Sequence, residues 1–199
     1  MARQRVGQQR PGRSRSPYRG PGLTRPPTLG VDVGGVIVTL VDRDEDTSFF
    51  GSRPLETPAV AGVFDALATL TVGPFAARVH LVSKAGPKVA ANTRAWLTHH
   101  DFFDRTKIPA ANLHFVRERA DKSPVCQRLG VTHFVDDRLD VLAHLDTVEH
   151  RYLFLGGTAE QTPADGVPAW ATVTDTWSGL ATLLAESVPA APATDGSSR

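Results

Sequence analysis

The sequence predicts an α/β fold, a Rossmann-like parallel sheet with helices on both faces and no large cap domain. Short apolar runs alternate with longer helix-like stretches, the pattern of a parallel sheet covered on both sides. Three of those runs end in polar side chains able to do chemistry: Asp32, Ser83 and the pair Asp136-Asp137. The length, 199 residues, suits one domain with a core large enough to fold alone. That domain is expected over residues 28–187. An Arg/Pro/Gly-rich arm (1–27) and a Pro/Ala-rich tail (188–199) flank it, both expected to be disordered.

The first strand lies in Thr28-Leu-Gly-Val-Asp-Val-Gly-Gly-Val-Ile-Val38, where an apolar run delivers Asp32 into a Gly-Gly turn. A carboxylate at the end of a buried strand is costly unless something pairs with it. Gly34 and Gly35 let backbone N–H groups approach whatever sits before that carboxylate. Asp42 to Asp46 reads as a solvated acidic turn and Phe49-Phe50 returns to apolar character, together a small flap beside the site. Thr57-Pro58 occupies N-cap and N1 positions and predicts a helix running through Val63, Phe64, Leu67 and Leu70. Arg78 to Ser83 is the second strand, followed by Lys84. Pro87 to about His99 is a helix with Val89, Ala90, Trp96 and Leu97 on one face. Asn112 to Val116 is a short strand, and Lys122 opens the helix-like stretch that runs to Gly130. Val131 to Asp136 is a strand ending in paired carboxylates, with Asp140 close behind. Arg151 to Leu155 is a late strand leading into Gly156-Gly157, and Thr176 to about Glu186 is the last helix.

Asp32, then Ser83, then Lys122, then Asp136-Asp137, three of these at strand ends, is the motif order of the haloacid dehalogenase-like (HAD) phosphohydrolases. The chain resembles that superfamily from about Thr28 to Glu186. The resemblance implies a HAD-like fold and a Mg²⁺-dependent phosphohydrolase. Asp32 is then the nucleophile that forms an aspartyl-phosphate, which water hydrolyses. Asp32, the backbone carbonyl of Gly34 and Asp136 are the implied metal ligands. Asp137 belongs to the same metal site, and Asp140 supports the shell around it. Ser83 binds a phosphate oxygen, and Lys122 neutralises charge on Asp32 and the transferring group. Gly35 and Lys84 are supporting positions. The intervals that hold a cap in other members are consumed here by core elements. An open site of that kind goes with large or exposed phosphorylated substrates, or with closure by a partner subunit such as a second copy of the chain.

One position departs from the pattern. Family phosphatases usually carry an aspartate two residues after the nucleophile, as general acid and then base, and Gly34 has no side chain. Losing such a group costs about 10²–10⁴ in rate. A flap acid, Asp44 or Asp46, is a candidate replacement, and a good leaving group needs no acid. Retention of Asp136-Asp137 argues against dehalogenation, which needs no Mg²⁺.

Composition excludes several classes. No apolar run approaches the roughly 18 residues that span a bilayer, and the basic N-terminus runs into Pro and Gly instead of a signal-peptide core. The single cysteine, Cys126, excludes an internal disulfide and fits a reducing cytoplasm. Its neighbours Pro124, Val125 and Leu129 mark it as a core or semi-buried residue. The net charge of +1 hides an asymmetry, since seven of the 22 Lys and Arg residues lie in residues 1–26. That leaves 15 basic against 21 acidic residues in the rest, about −6 in formal charge. An arginine-rich arm touches nucleic acid in some proteins and is a solvated tail in others, and the tail reading is preferred. The seven histidines show no metal-ligand spacing, and His99-His100 reads as a solvated helix end.

Three other readings compete. An actin-like sugar kinase also begins Leu-Gly-Val-Asp-Val-Gly-Gly, but it has Thr where this chain has Val36 and needs two such domains. A catalytically degenerate HAD-fold binding or regulatory module is suggested by Gly34. A nucleic-acid role through the arm is the third. Nothing in the sequence identifies the substrate.

Overall fold

The computed structural model describes residues 25–40, 50, 53–158 and 166–189. The strands are β1 (Leu29–Val31), β2 (Val79–Lys84), β3 (Leu113–Val116), β4 (His133–Asp136), β5 (His150–Phe154) and β6 (Ala171–Thr174). They form one all-parallel sheet in the order β3-β2-β1-β4-β5-β6. The helices are α1 (Val63–Val72), α2 (Pro87–His99), α3 (Phe102–Thr106), α4 (Lys122–Leu129), α5 (Leu139–Ala143) and α6 (Trp177–Ser187).

Strand alternation sorts the apolar residues into two layers. On one face, the central strands present Val31, Leu81 and Val135, joined by Phe154 of β5. They pack against Leu67 of α1, Trp96 of α2, Phe102 of α3 and Leu180 and Leu184 of α6. On the other face, Val82, Phe134 and Leu153 pack against Cys126 of α4 and Leu142 of α5. Burial pushes the Cys126 thiol up to about 12, so it is an inert core side chain. Gly30 is required in β1 because a Cβ there would collide with the Phe134 ring.

Register sets the height of the site. Val31 is level with Leu81 on β2 and with Val135 on β4. The residues that follow, Asp32 and Asp136, therefore leave the sheet side by side at its carboxyl edge. They do so where strand order reverses, with β2 and β3 on one side of β1 and β4 to β6 on the other. That reversal opens the crevice in which doubly wound sheets bind ligands. Among the described residues no separate domain or layer is inserted between these elements.

Four elements differ from the sequence expectation. The helix expected from Thr57 begins at Val63, because residues 58–60 are extended against the end of the turn that follows Asp32. Thr39 N–H donates to the Pro58 carbonyl and Val60 N–H to Ile37. The Thr57 hydroxyl donates to the Phe50 carbonyl, and its own carbonyl accepts from the Trp96 indole. Helices α3 and α5 are five residues each, too short for periodicity to reveal. Strand β6 is a partly exposed edge, without the apolar run that marks the buried strands. His99 is exposed as expected, whereas His100 is half-buried against Trp96 with its Nε2 3.1 Å from the Leu55 carbonyl. Residues 1–24 of the arm, the tail beyond Pro189 and the flap acids Asp44 and Asp46 lie outside the described residues. No described helix is long and apolar enough to cross a membrane.

Candidate active site

Asp32 emerges from β1 with its N–H donating to the Val135 carbonyl, which ties it to β4. The chain then turns tightly, with the N–H groups of Ile37 and Val38 both donating to the Val33 carbonyl. Gly35 sits in this turn at φ +72°, where a side chain is strained. A Cβ there would also stand 2.5 Å from Asp137 Oδ2, so the missing side chain admits that carboxylate. Gly34 is buried beside it and bridges to Val38.

Lys122, the first residue of α4, lies 2 % exposed beneath the crevice. Its Nζ donates to Asp136 Oδ2 at 2.7 Å and forms an ion pair with Asp32 Oδ1 at 3.0 Å. Burial alone would lower its pKa, but the carboxylates of Asp136 and Asp32 more than offset that and hold it above its ordinary value. The two carboxylates therefore favour the charged form of the lysine. The second oxygen of Asp136 accepts from the Arg138 backbone N–H at 3.0 Å. Asp137, 7 % exposed, has no hydrogen-bond partner among the described residues. Burial raises the Asp136 carboxyl to about 6, with Lys122 opposing and Asp32 adding to the shift. Burial followed by repulsion from Asp136 and Asp32 raises Asp137 well above the usual carboxylate range.

Carboxylate oxygens of Asp32, Asp136 and Asp137 lie within 4.8 Å of one another. Three buried carboxyl groups thus share one lysine, and because burial raises two of them, a further cation would be needed to hold all three ionised. The donor set is all oxygen, which suits a hard dication such as Mg²⁺.

The structure gathers four of the residues singled out from the sequence, Asp32, Lys122, Asp136 and Asp137, into one buried group. Ser83 lies on the adjacent strand, two residues beyond the position level with Val31, and is 2 % exposed. Its hydroxyl has no hydrogen-bond partner among the described residues. Asp140 stands apart from the group. It is exposed and pairs with Arg138 through Oδ1–Nε at 3.0 Å and Oδ2–Nη2 at 3.1 Å, so it steadies the residue whose N–H caps Asp136. Lys84 is exposed at the end of β2.

Two supports escaped the sequence reading. The Trp177 indole N–H of α6 donates to the Val36 carbonyl at 2.8 Å, pinning the turn after Asp32. Gly157, after β5, packs so closely that a Cβ would collide with the Gly35 carbonyl, and its own carbonyl accepts from Leu40 N–H. The Gly156-Gly157 pair is visible in the sequence as a strand exit, but its contact with the first turn is not. Trp177 gives no local signal at all.

No family model matches the sequence, and no curated protein matches it. Among solved structures, the fold is similar to that of D,D-heptose 1,7-bisphosphate phosphatase from Burkholderia thailandensis. The TM-score is 0.55 at 18% identity, over 80% of this chain and 98% of that one. The likeness supports the fold that the sequence predicts, a parallel α/β sheet with helices on both faces.

Proposed function

We propose that the protein is a Mg²⁺-dependent phosphohydrolase that cleaves phosphate monoesters through an aspartyl-phosphate on Asp32. The observation that carries this reading is the buried group in which Lys122 bridges Asp32 and Asp136 while Asp137 stands without a protein partner among the described residues. Asp32, Asp136 and Asp137, with the Gly34 carbonyl expected from the motif, would hold the cation. When bound, Mg²⁺ supplies charge neutralisation that lets a carboxylate approach a phosphate dianion.

The chain's own residues supply the rest. Asp32 attacks phosphorus through a carboxylate oxygen, the P–O bond to the leaving group breaks, and the leaving oxygen takes the electron pair. Water then cleaves the acyl-phosphate, returning the Asp32 carboxylate and releasing inorganic phosphate. Lys122 holds Asp32 in place and offsets charge on the transferring group, and the Ser83 hydroxyl donates to a phosphate oxygen. Gly34 offers no proton to the leaving group, so good leaving groups are favoured.

The test is turnover of para-nitrophenyl phosphate with Mg²⁺, beside Asp32→Asn and EDTA controls. Its phenolate leaves without an acid. Turnover lost in both controls is the expected result. Wild-type signal no higher than that of Asp32→Asn would count against a general phosphatase. It would favour the second reading, a binding module that keeps the acidic site without the chemistry, which rests on Gly34.

A further inference from the structure

The carboxyl edge carries a second feature that the hydrolytic chemistry does not use. Chain exits after β2 and β3 read Ser83-Lys84-Ala-Gly-Pro-Lys88 and Val116-Arg117-Glu-Arg119. Both strands run parallel to β1, so these exits open on the same edge as Asp32. Lys84 pairs with Val116 in register, and Ala85 N–H donates to the Val116 carbonyl at 3.0 Å, which keeps the exits side by side.

Lys84, Lys88, Arg117 and Arg119 are all exposed, and none forms an ion pair among the described residues. The two acids in the same stretch are turned onto their own backbone. Glu118 and Asp121 form a reciprocal capping box, with Glu118 N–H donating to Asp121 Oδ2 at 3.1 Å. Neither is spent on the four cations. Across the crevice Arg138 is paired with Asp140, and of the four cations only Arg119 lies near enough to help hold that carboxyl low, without an ion pair to it. Helix α2 adds to the field, since its first turn has no side-chain cap, no acid, and Lys88 instead. A chain whose residues beyond the arm are net acidic thus concentrates unpaired positive charge on one flank of its site.

Resting on the phosphohydrolase reading, we propose that the substrate carries a second anionic group, phosphate or carboxylate, bound by Lys84, Lys88, Arg117 and Arg119. Adjacent strands are about 4.8 Å apart, which places the β3 exit roughly 10 Å from Asp32 and the second anion about 5–10 Å from the reacting phosphorus. Exposed cations of this kind give selectivity between anions more than raw affinity.

Calorimetry on the Mg²⁺-loaded protein with three ligands of one carbon frame tests this: glycerol phosphate, phosphoglycerate and glycerol bisphosphate. At least one doubly anionic ligand is expected to bind about tenfold or more tighter than glycerol phosphate. The tighter arm identifies the second group as carboxylate or phosphate. In an Arg117→Gln/Arg119→Gln double variant that ratio should fall to about threefold or less. Equal affinities, no detectable binding of either doubly anionic ligand, or an undiminished ratio in the double variant would each overturn the proposal. Para-nitrophenyl phosphate turnover on the same preparation separates the two claims. Asp32-dependent turnover without anion preference defeats only the flank, and preference without turnover defeats only the phosphohydrolase.

Discussion

Gly34 lies outside the left-handed region of backbone space, so no backbone strain of that kind bars an aspartate there. Gly34→Asp should raise turnover of an alkyl phosphate by about 10²-fold while changing para-nitrophenyl phosphate far less, because only the poor leaving group needs a proton. Steady-state kinetics on the two esters checks this, and equal gains on both would show that the group is not acting as an acid. Lys122 presents the complementary case. Lys122→Met leaves three buried carboxylates without their cation and should cost about 3 kcal/mol in urea unfolding without metal. Mg²⁺ should restore more of that loss in the variant than it adds to the wild type. At this scale the sequence was informative, since Asp32, Ser83, Lys122, Asp136 and Asp137 were each legible as strand-end or helix-start positions in a fixed order. The group that forms between four of them was not, because it depends on register between β1 and β4 and on where α4 begins.

Among the elements, the turn after Asp32 is braced from two sides. Gly157→Ala would drive a methyl group into the Gly35 carbonyl, and since backbone cannot yield as a side chain does, a cost of about 1–3 kcal/mol is expected. The displaced turn should lower para-nitrophenyl phosphate turnover in protein that still melts cooperatively, which a thermal scan beside the assay will show. Trp177→Phe removes the hydrogen bond to Val36 while keeping most of the ring, and should cost about 1–2 kcal/mol in denaturant unfolding. Neither brace lies near Asp32 in sequence. Elements with a strong pattern, such as α2 and α6, were legible nearly to the residue. Thr57-Pro58 carries a genuine helix-start signal, and tertiary pairing of residues 58–60 with the turn after Asp32 overrides it.

At the scale of the whole molecule, two histidine pairs form across neighbouring strands. His80 Nδ1 lies 3.2 Å from His114 Nε2, and the His133 ring stacks on His150 at 4.4 Å. Burial first, and the neighbouring histidine second, lower His80 and His133 from the ordinary 6.5 to about 4. The unfolded chain therefore binds more protons than the folded one between these values. The two histidines' own contribution to stability should be flat above pH 6.5 and fall as pH drops towards 4, by about 1–2 kcal/mol for each after allowance for solvent screening, while the raised carboxyls of Asp136 and Asp137 contribute the opposite slope. The difference between urea melts of the wild type and of a His80→Gln/His133→Gln variant isolates this contribution, and it should shift in the wild type's disfavour as pH falls from 6.5 towards 4. Excess Mg²⁺ at neutral pH should raise the melting temperature, by mass action on the three-carboxylate site, and the rise should vanish in Asp136→Asn.

The sequence by itself determined the fold class and singled out the four residues that the structure gathers into one buried group. Alternating apolar runs dictate a covered parallel sheet, and residue types such as paired carboxylates and a helix-start lysine are visible without any structure. Only the tertiary structure decided which of them meet. Strand order places Asp32 and Asp136 on either side of the sheet's reversal, whereas Asp140, just beyond Asp137 in the chain, turns away to Arg138. Distances of this kind arise from register and packing between elements far apart in the chain, and no local pattern encodes them.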